Sequence, residues 1–272
     1  MAHQSNPTAK VNGRTKAIGL VAYPSDHVRT PTILNEHMER RGLNAVMLPL
    51  QVPPHQLATV FTGLREIENL AGIIVTVPHK AAAAALCDDL EGVAATLGVC
   101  NIIRRSTQGR LVGRMMDGEG FVQGMKQQEI DPRGMNALLL GAGGAATAIA
   151  AALIEAQVAS LTVVNRTYAK AVELARIVEG LFPTARIQAA ESTEGKWDLI
   201  VNGTSIGLHD DDPLPLPQEH LNPEAIVAEV IMQPAKTKLL ITAEARGCRI
   251  HLGEHMVQAQ LRGFVDYLSL EN

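Results

Sequence analysis

One junction constrains the fold of this chain more than any other. The apolar run Ala137-Leu138-Leu139-Leu140 passes directly into Gly141-Ala142-Gly143-Gly144-Ala145, and then into the alanine-rich stretch TAIAAALIEA. A short apolar run bounded by glycine reads as a buried strand, and a long alanine-rich stretch as a helix. Without side chains, Gly141 and Gly143 permit a tight turn between the two and let backbone amides approach a pyrophosphate, whose charge faces the positive end of the following helix. A tight turn with no ligand is the competing reading. It is disfavoured because strand-like and helix-like segments alternate on both sides.

That alternation starts at Lys16 and points to βαβ units and a parallel sheet. Strands are expected at 17–21, 45–48, 72–76 and 99–103, and helices at 32–41, 54–68 and 80–86, with 90–97 as a further helical segment. A turn at 106–109 leads to 111–114 and suggests a hairpin at the sheet's edge. After a connecting helix at 118–128 and a turn at 131–134, strands at 137–140, 161–164, 198–201, 226–230 and 249–252 form a doubly wound half. The loop 209–217, rich in Asp and Pro, is expected to be exposed and mobile. Aromatic residues are only 3% of the chain, so Leu, Val, Ile and Ala must fill the core, as they do where helices cover parallel strands. The fold class is therefore α/β, with 272 residues enough for two domains.

The chain gives little reason to expect a macromolecular partner. A net charge of -4 with no long basic stretch offers nothing to nucleic acid or an anionic membrane. The polar opening MAHQSNPTAKVNGRTK reads as a floppy lead-in without the apolar stretch of a secretory signal. No apolar run approaches the length that spans a bilayer. Three scattered cysteines suggest neither a disulfide framework nor a metal site, which fits a reducing cytoplasm. His251 and His255, four apart with Gly253 between them, and His209 beside three aspartates are weak metal candidates, and no metal is expected.

Where an NAD-binding fold places an acid on the ribose, the second strand of this half ends in Asn165-Arg166-Thr167. Arg166 offers a guanidinium to a 2′-phosphate, with Thr167 and Lys170 as supplements, and this argues for NADP. A charged hydrogen bond to phosphate contributes about 1.5–3 kcal/mol, a modest preference that leaves NAD as an alternative. In the first half, VTVPHK places Thr76, Pro78, His79 and Lys80 at a strand's carboxyl end, where ligands gather in open α/β sheets. Asp117 follows in GRMMDGEGF. Hydride delivery to a ketone leaves an alkoxide that needs a proton, and a lysine with a neighbouring carboxylate can supply it. Spacing alone favours two unrelated surface charges.

Several motifs in order change that balance: YPSDHVRTP, VTVPHK, GVCN, MDGEGF, GAGGA, NRT, NGTSIG, QPAKTKLL and GEHMVQAQ. Through them the chain resembles the shikimate dehydrogenase family over almost its whole length. The resemblance implies a substrate domain at 1–117 plus 255–272 and a Rossmann-like, doubly wound NADP-binding domain at 118–254. It implies reversible hydride transfer between NADP(H) and a small cyclic hydroxy acid such as shikimate/3-dehydroshikimate, in aromatic amino acid biosynthesis, by a monomer or homodimer. Lys80 and Asp117 correspond to the proton-transfer pair, and Thr76, Asn101 and Gln260 to groups on the substrate's hydroxyls. Gly141, Ala142, Gly143, Gly144 and Ala145 with Asn165, Arg166, Thr167 and Lys170 would hold the nucleotide. Asn202, Thr204 and Ser205 fall on the nicotinamide side, and Gly253 and Met256 near its ring.

The departures are as specific. Where the family has two serines on the substrate carboxylate, this chain has Val28 and Thr30; Ile74 replaces an asparagine, Met116 a threonine and Met232 a tyrosine. The pocket is expected to be more apolar and the substrate preference altered. The alternatives are a quinate/shikimate dehydrogenase that uses NAD, and a dinucleotide-binding regulatory protein without catalysis.

Overall fold

The computed structural model of the chain describes residues 11–271. Most of the expected floppy lead-in lies outside the described residues. Within them the order is β1 (Lys16–Ala22), α1 (Thr30–Arg40), β2 (Ala45–Gln51), α2 (Leu57–Arg65), β3 (Leu70–Val75), α3 (Lys80–Ala85), β4 (Asp89–Glu91), α4 (Val93–Leu97), β5 (Ile102–Arg105), β6 (Leu111–Arg114) and α5 (Asp117–Gln127). The second half follows as β7 (Asn136–Leu140), α6 (Gly144–Glu155), β8 (Ser160–Val164), α7 (Tyr168–Leu181), β9 (Ile187–Ala190), β10 (Leu199–Asn202), β11 (Ile226–Glu229), α8 (Lys238–Ala245), β12 (Arg249–His251) and α9 (Glu254–Tyr267).

The fold is α/β with two six-stranded sheets, ordered β2-β1-β3-β5-β6-β4 and β12-β11-β10-β7-β8-β9. The second sheet is parallel throughout. Its order is that of a dinucleotide fold, reversing direction between β7 and β10. Strands such as β7 are apolar and buried on both faces because helices cover both.

The first sheet is mixed, where a parallel one was expected. β5 runs antiparallel to β3 and to β6; the β5–β6 pair is the expected hairpin, since a turn closed by Ser106 and Arg110, with Gly109 at φ 76, is too short for a crossover. That hairpin is not at the edge. The edge strand is β4, in a segment that reads as helical. The Asp88 carboxylate accepts a hydrogen bond from Leu111 N at 2.7 Å and pins the segment beside β6, and Gly92, at φ 59, turns the chain into α4. The loop 209–217 is also more anchored than expected. Leu216 is buried among Leu138, Leu140 and Leu221, and Asp212 accepts from the amides of Gly207 and His209 at 2.8 and 3.1 Å. Among the described residues no helix is long and apolar enough to cross a membrane.

Helix α5 joins the halves by packing against α6 on one side and α9 on the other. Its glycines make this possible. A Cβ at Gly118 would sit 2.2 Å from the Ala148 carbonyl oxygen, and one at Gly124 would sit 2.8 Å from that of His255. At the end of β12, His251 is 0% exposed, lies edge-on to Phe121 of α5 and to His255 of α9 at 5.5 and 4.7 Å, and has no hydrogen-bond partner for either ring nitrogen.

Burial, with His255 and Arg249 acting in the same direction and the Gly124 backbone against them, pushes the His251 imidazole down to about 4. The unfolded chain then takes up a proton on this residue before the folded one does. Its share of stability is complete above about pH 6.5 and falls by up to about 3 kcal/mol as pH drops through 4. His251→Leu, which removes the titrating group, is expected to flatten that part of the stability profile. Urea unfolding between pH 4 and 7 checks it, and an unchanged slope counts against this account.

Candidate active site

A cleft of about 1270 Å³ lies between the two sheets. Its first wall is built where β3 ends. His79 is buried there, and its Nε2 pairs with Val52 O at 2.8 Å. The imidazole thus fastens the strand end rather than reaching the cleft. Helix α3 then starts at Lys80, whose ammonium donates to Asp117 Oδ2. The two side chains are 11% and 4% exposed, and both residues line the cleft.

Asp117 opens α5, where the helix's free amides favour a negative charge. Its other oxygen, Oδ1, accepts from Asn101 Nδ2 at 2.7 Å and from Gln260 Nε2 at 3.3 Å. Asn101 Oδ1 in turn accepts from Met116 N at 2.8 Å, and Gln260 Nε2 also reaches Met116 O at 2.9 Å. Gly120 leaves the space, since a Cβ there would lie 2.4 Å from Gln260 Cγ. Three elements therefore converge on one carboxylate. Thr30 and Thr76 line the same part of the cleft, together with Val28, Ile74 and Met232. Met116 does not line it; its side chain is packed under α9 with Leu261 and Phe264.

The second wall is the turn after β7. Gly141 has φ 104, and a Cβ on it would sit 3.0 Å from the Gly203 backbone. Only glycine meets both demands. A Cβ at Gly143 would meet nothing within 4 Å, and one at Gly144 would sit 3.1 Å from Lys80 Cβ. The glycine turn thus opens onto the cleft at one residue and touches the lysine-bearing helix at the next. Gly141, Ala142, Gly143, Gly144 and Ala145 all line the cleft, as do Asn165, Arg166, Thr204, Ser205 and Met256.

Four expected residues do not line it. Thr167 and Lys170 are exposed outside it. Asn202 is buried behind the wall, accepting from Thr204 N and Oγ1 at 3.1 and 2.7 Å and donating to Ile206 O at 3.0 Å. Gly253 lies against the Ile231 carbonyl oxygen, 2.3 Å from where its Cβ would be. Asn202 and Gly253 shape the wall from the rear.

Two features escaped the sequence. Thr193 and His220, 2.7 Å apart, line the far end of the cleft. Glu229, at the end of the apolar strand β11, is 0% exposed. Burial pushes its carboxyl up to about 7, against hydrogen bonds from Asn202, Ile231, Thr237 and Val230 that pull the other way. A single acid ending an apolar strand carries no pattern that would mark it in advance.

With this geometry in place, the likeness to known proteins is specific. Residues 20–103 match the shikimate dehydrogenase substrate binding domain, and residues 125–207 match the shikimate / quinate 5-dehydrogenase family. The shikimate dehydrogenase (NADP(+)) of Rubrobacter xylanophilus is 36% identical over 258 residues, 92% of this chain and 89% of that protein. The shikimate 5-dehydrogenase of Thermus thermophilus, in complex with NADP(H) and shikimate, superposes with a TM-score of 0.83 at 29% identity, over 94% of each chain. The ligand-free 5-ketofructose reductase of Gluconobacter sp. strain CHM43 superposes with a TM-score of 0.79 at 31% identity, over 94% of this chain and 93% of that one.

Proposed function

The chain belongs to the shikimate dehydrogenase family, and from that premise we propose that it is an NADP-dependent oxidoreductase. It interconverts an alcohol and a ketone on a small cyclic hydroxy compound of the shikimate/3-dehydroshikimate kind, with a weakened hold on the substrate's carboxylate. The observation that carries this is the buried Lys80–Asp117 pair in a cleft whose opposite wall is the glycine turn, with Gly144 against Lys80.

The glycine turn fits a dinucleotide. Gly143 opens onto the cleft at the start of α6, where backbone amides can meet a pyrophosphate. Arg166 would take the 2′-phosphate, with NAD as the alternative where that contact is lost. When bound, the nicotinamide supplies hydride to the carbonyl carbon. Lys80 then donates its proton to the oxygen on which negative charge grows, and its amine takes the proton back in the reverse direction. Asp117, fixed by Asn101 and Gln260, holds the amine at that position. Thr30, Thr76, Asn101 and Gln260 offer the polar partners for ring hydroxyls. Residues up to 117 with those from 255 act as the substrate unit and 118–254 as the nucleotide unit, in a cytoplasmic monomer or homodimer.

A second reading is an uncharged hydroxy ketone as substrate. The apolar wall of Val28, Ile74 and Met232 favours it, as does the likeness to a 5-ketofructose reductase. Loss of one hydrogen bond to a carboxylate weakens binding by about 1.5–3 kcal/mol.

Lys80→Ala is expected to lower kcat by about 10²- to 10⁴-fold and to leave NADPH affinity unchanged; undiminished turnover would remove the lysine from the mechanism. Arg166→Leu is expected to raise KM for NADP by about 10- to 150-fold, the equivalent of one charged hydrogen bond, with KM for NAD unaffected. Steady-state assays with shikimate, its methyl ester and an uncharged ketose separate the two substrate readings. A high KM for shikimate, matched or bettered by the ester, is expected. A micromolar KM for shikimate rejects the weakened hold.

A further inference from the structure

Behind the nucleotide wall lies a buried acid that the proposed proton transfer does not use. Glu229 ends β11, and four donors converge on it. Oε2 accepts from Asn202 Nδ2 at 3.0 Å and from Thr237 Oγ1 at 2.9 Å. Oε1 accepts from Val230 N at 2.9 Å and from Ile231 N at 3.2 Å. Only an ionised carboxylate, of Glu or Asp, accepts at so many points while donating nothing. Desolvating a carboxyl is unfavourable, and an apolar residue at the end of an apolar strand would avoid it. The acid therefore needs a reason beyond packing.

The donors supply one. Asn202 passes the contact on to Thr204 N, Thr204 Oγ1 and Ile206 O, so the turn after β10, which presents Thr204 and Ser205 to the cleft, hangs on Glu229 through a single amide. Val230 and Ile231 begin the other segment of that wall, which continues to Met232. Thr237 is the N-cap of α8 and accepts from Leu240 N at 3.4 Å, tying both segments to a rigid helix. We propose that Glu229 is a positioning residue: it locks the turn after β10 to the turn after β11 and so fixes the wall that holds the nicotinamide end of the cofactor. This rests on the dinucleotide reading above. The pyrophosphate and adenosine end depends on different residues, the glycine turn and Arg166, so that end should survive the loss of the acid.

Glu229→Gln turns an amide donor onto the Asn202 amide donor; adding Asn202→Asp restores an acceptor at that contact. The full chain is compared as wild type, Glu229→Gln and the double variant. The readouts are kcat, the fluorescence of bound NADPH, binding of adenosine 2′,5′-bisphosphate, which lacks nicotinamide, and the thermal transition. Expected for Glu229→Gln are a kcat lower by about 10- to 100-fold, altered fluorescence of the bound reduced nicotinamide, unchanged KM for the hydroxy substrate and unchanged bisphosphate affinity, with partial recovery of kcat and fluorescence in the double variant. An unchanged kcat and fluorescence, or loss of bisphosphate binding together with nicotinamide binding, overturns the proposal. Should Glu229→Gln fail to fold, Thr237→Ser and Thr237→Val keep and remove one donor; the proposal requires Val alone to disturb the nicotinamide signal, and equal signals overturn it. If the wild type binds NADPH yet oxidises no cyclic hydroxy compound, the enzyme reading fails while the fluorescence comparison still decides the role of Glu229.

Discussion

Asp117 places its carboxylate at the edge of the cleft with only 4% of the side chain exposed, so its two oxygens must be met by the protein. Lys80 from α3, Asn101 from the strand entry before β5 and Gln260 from α9 meet them. A buried charge deprived of a partner is destabilising by about 3–5 kcal/mol. The position of Asp117 is therefore set by three separate stretches of chain, and any drift in one is resisted by the other two. Asn101 adds a second lock by accepting from Met116 N, the amide just before the acid.

The helix behind this carboxylate carries the constraint to the other half of the molecule. Asp117 begins α5, and Gly118, Gly120 and Gly124 lie against the Ala148 backbone, the Gln260 side chain and the His255 backbone. Side chains there would push α6 and α9 apart. Since α6 starts at the glycine turn and α9 carries Gln260, close packing of α5 holds both walls of the cleft in register with the acid. The contact of Gly144 with Lys80 is a consequence of that spacing, and it brings the amine beside the mouth of the nucleotide turn.

How much of this was legible follows from where the information sits. The strand, glycine and helix order around Gly141 is local, so the sequence shows it directly, and the ordered motifs mark Lys80, Asp117, Asn101 and Gln260 as a set. Strand parity is not local. The turn at Ser106 marks the hairpin of β5 and β6, but nothing local tells that β5 lies antiparallel beside β3 and inside the sheet, and β4 is three residues of Asp, Leu and Glu with no periodicity to read. Asn202 and Gly253 were legible as important but not as hidden: adjacency to Thr204 and Met256 places them near the cleft, whereas burial places them behind it. Glu229 was illegible because its role depends on Asn202 and Thr237, which meet it only after the sheet has formed.

The same geometry explains how the substrate grip can change while the proton chemistry does not. Lys80 and Asp117 stand on α3 and α5, fixed by contacts that involve neither Val28, Ile74 nor Met232. Those three lie on the chain between β1 and α1, on β3 and beyond β11, and each can change its side chain without moving the ammonium or the carboxylate. Interactions with remote parts of a substrate set which molecule is held, and those at the reacting oxygen set what happens to it. On the proposed reading, an apolar wall beside an acid and amine held by separate contacts changes selection alone and leaves the chemistry of an alcohol and a ketone in place.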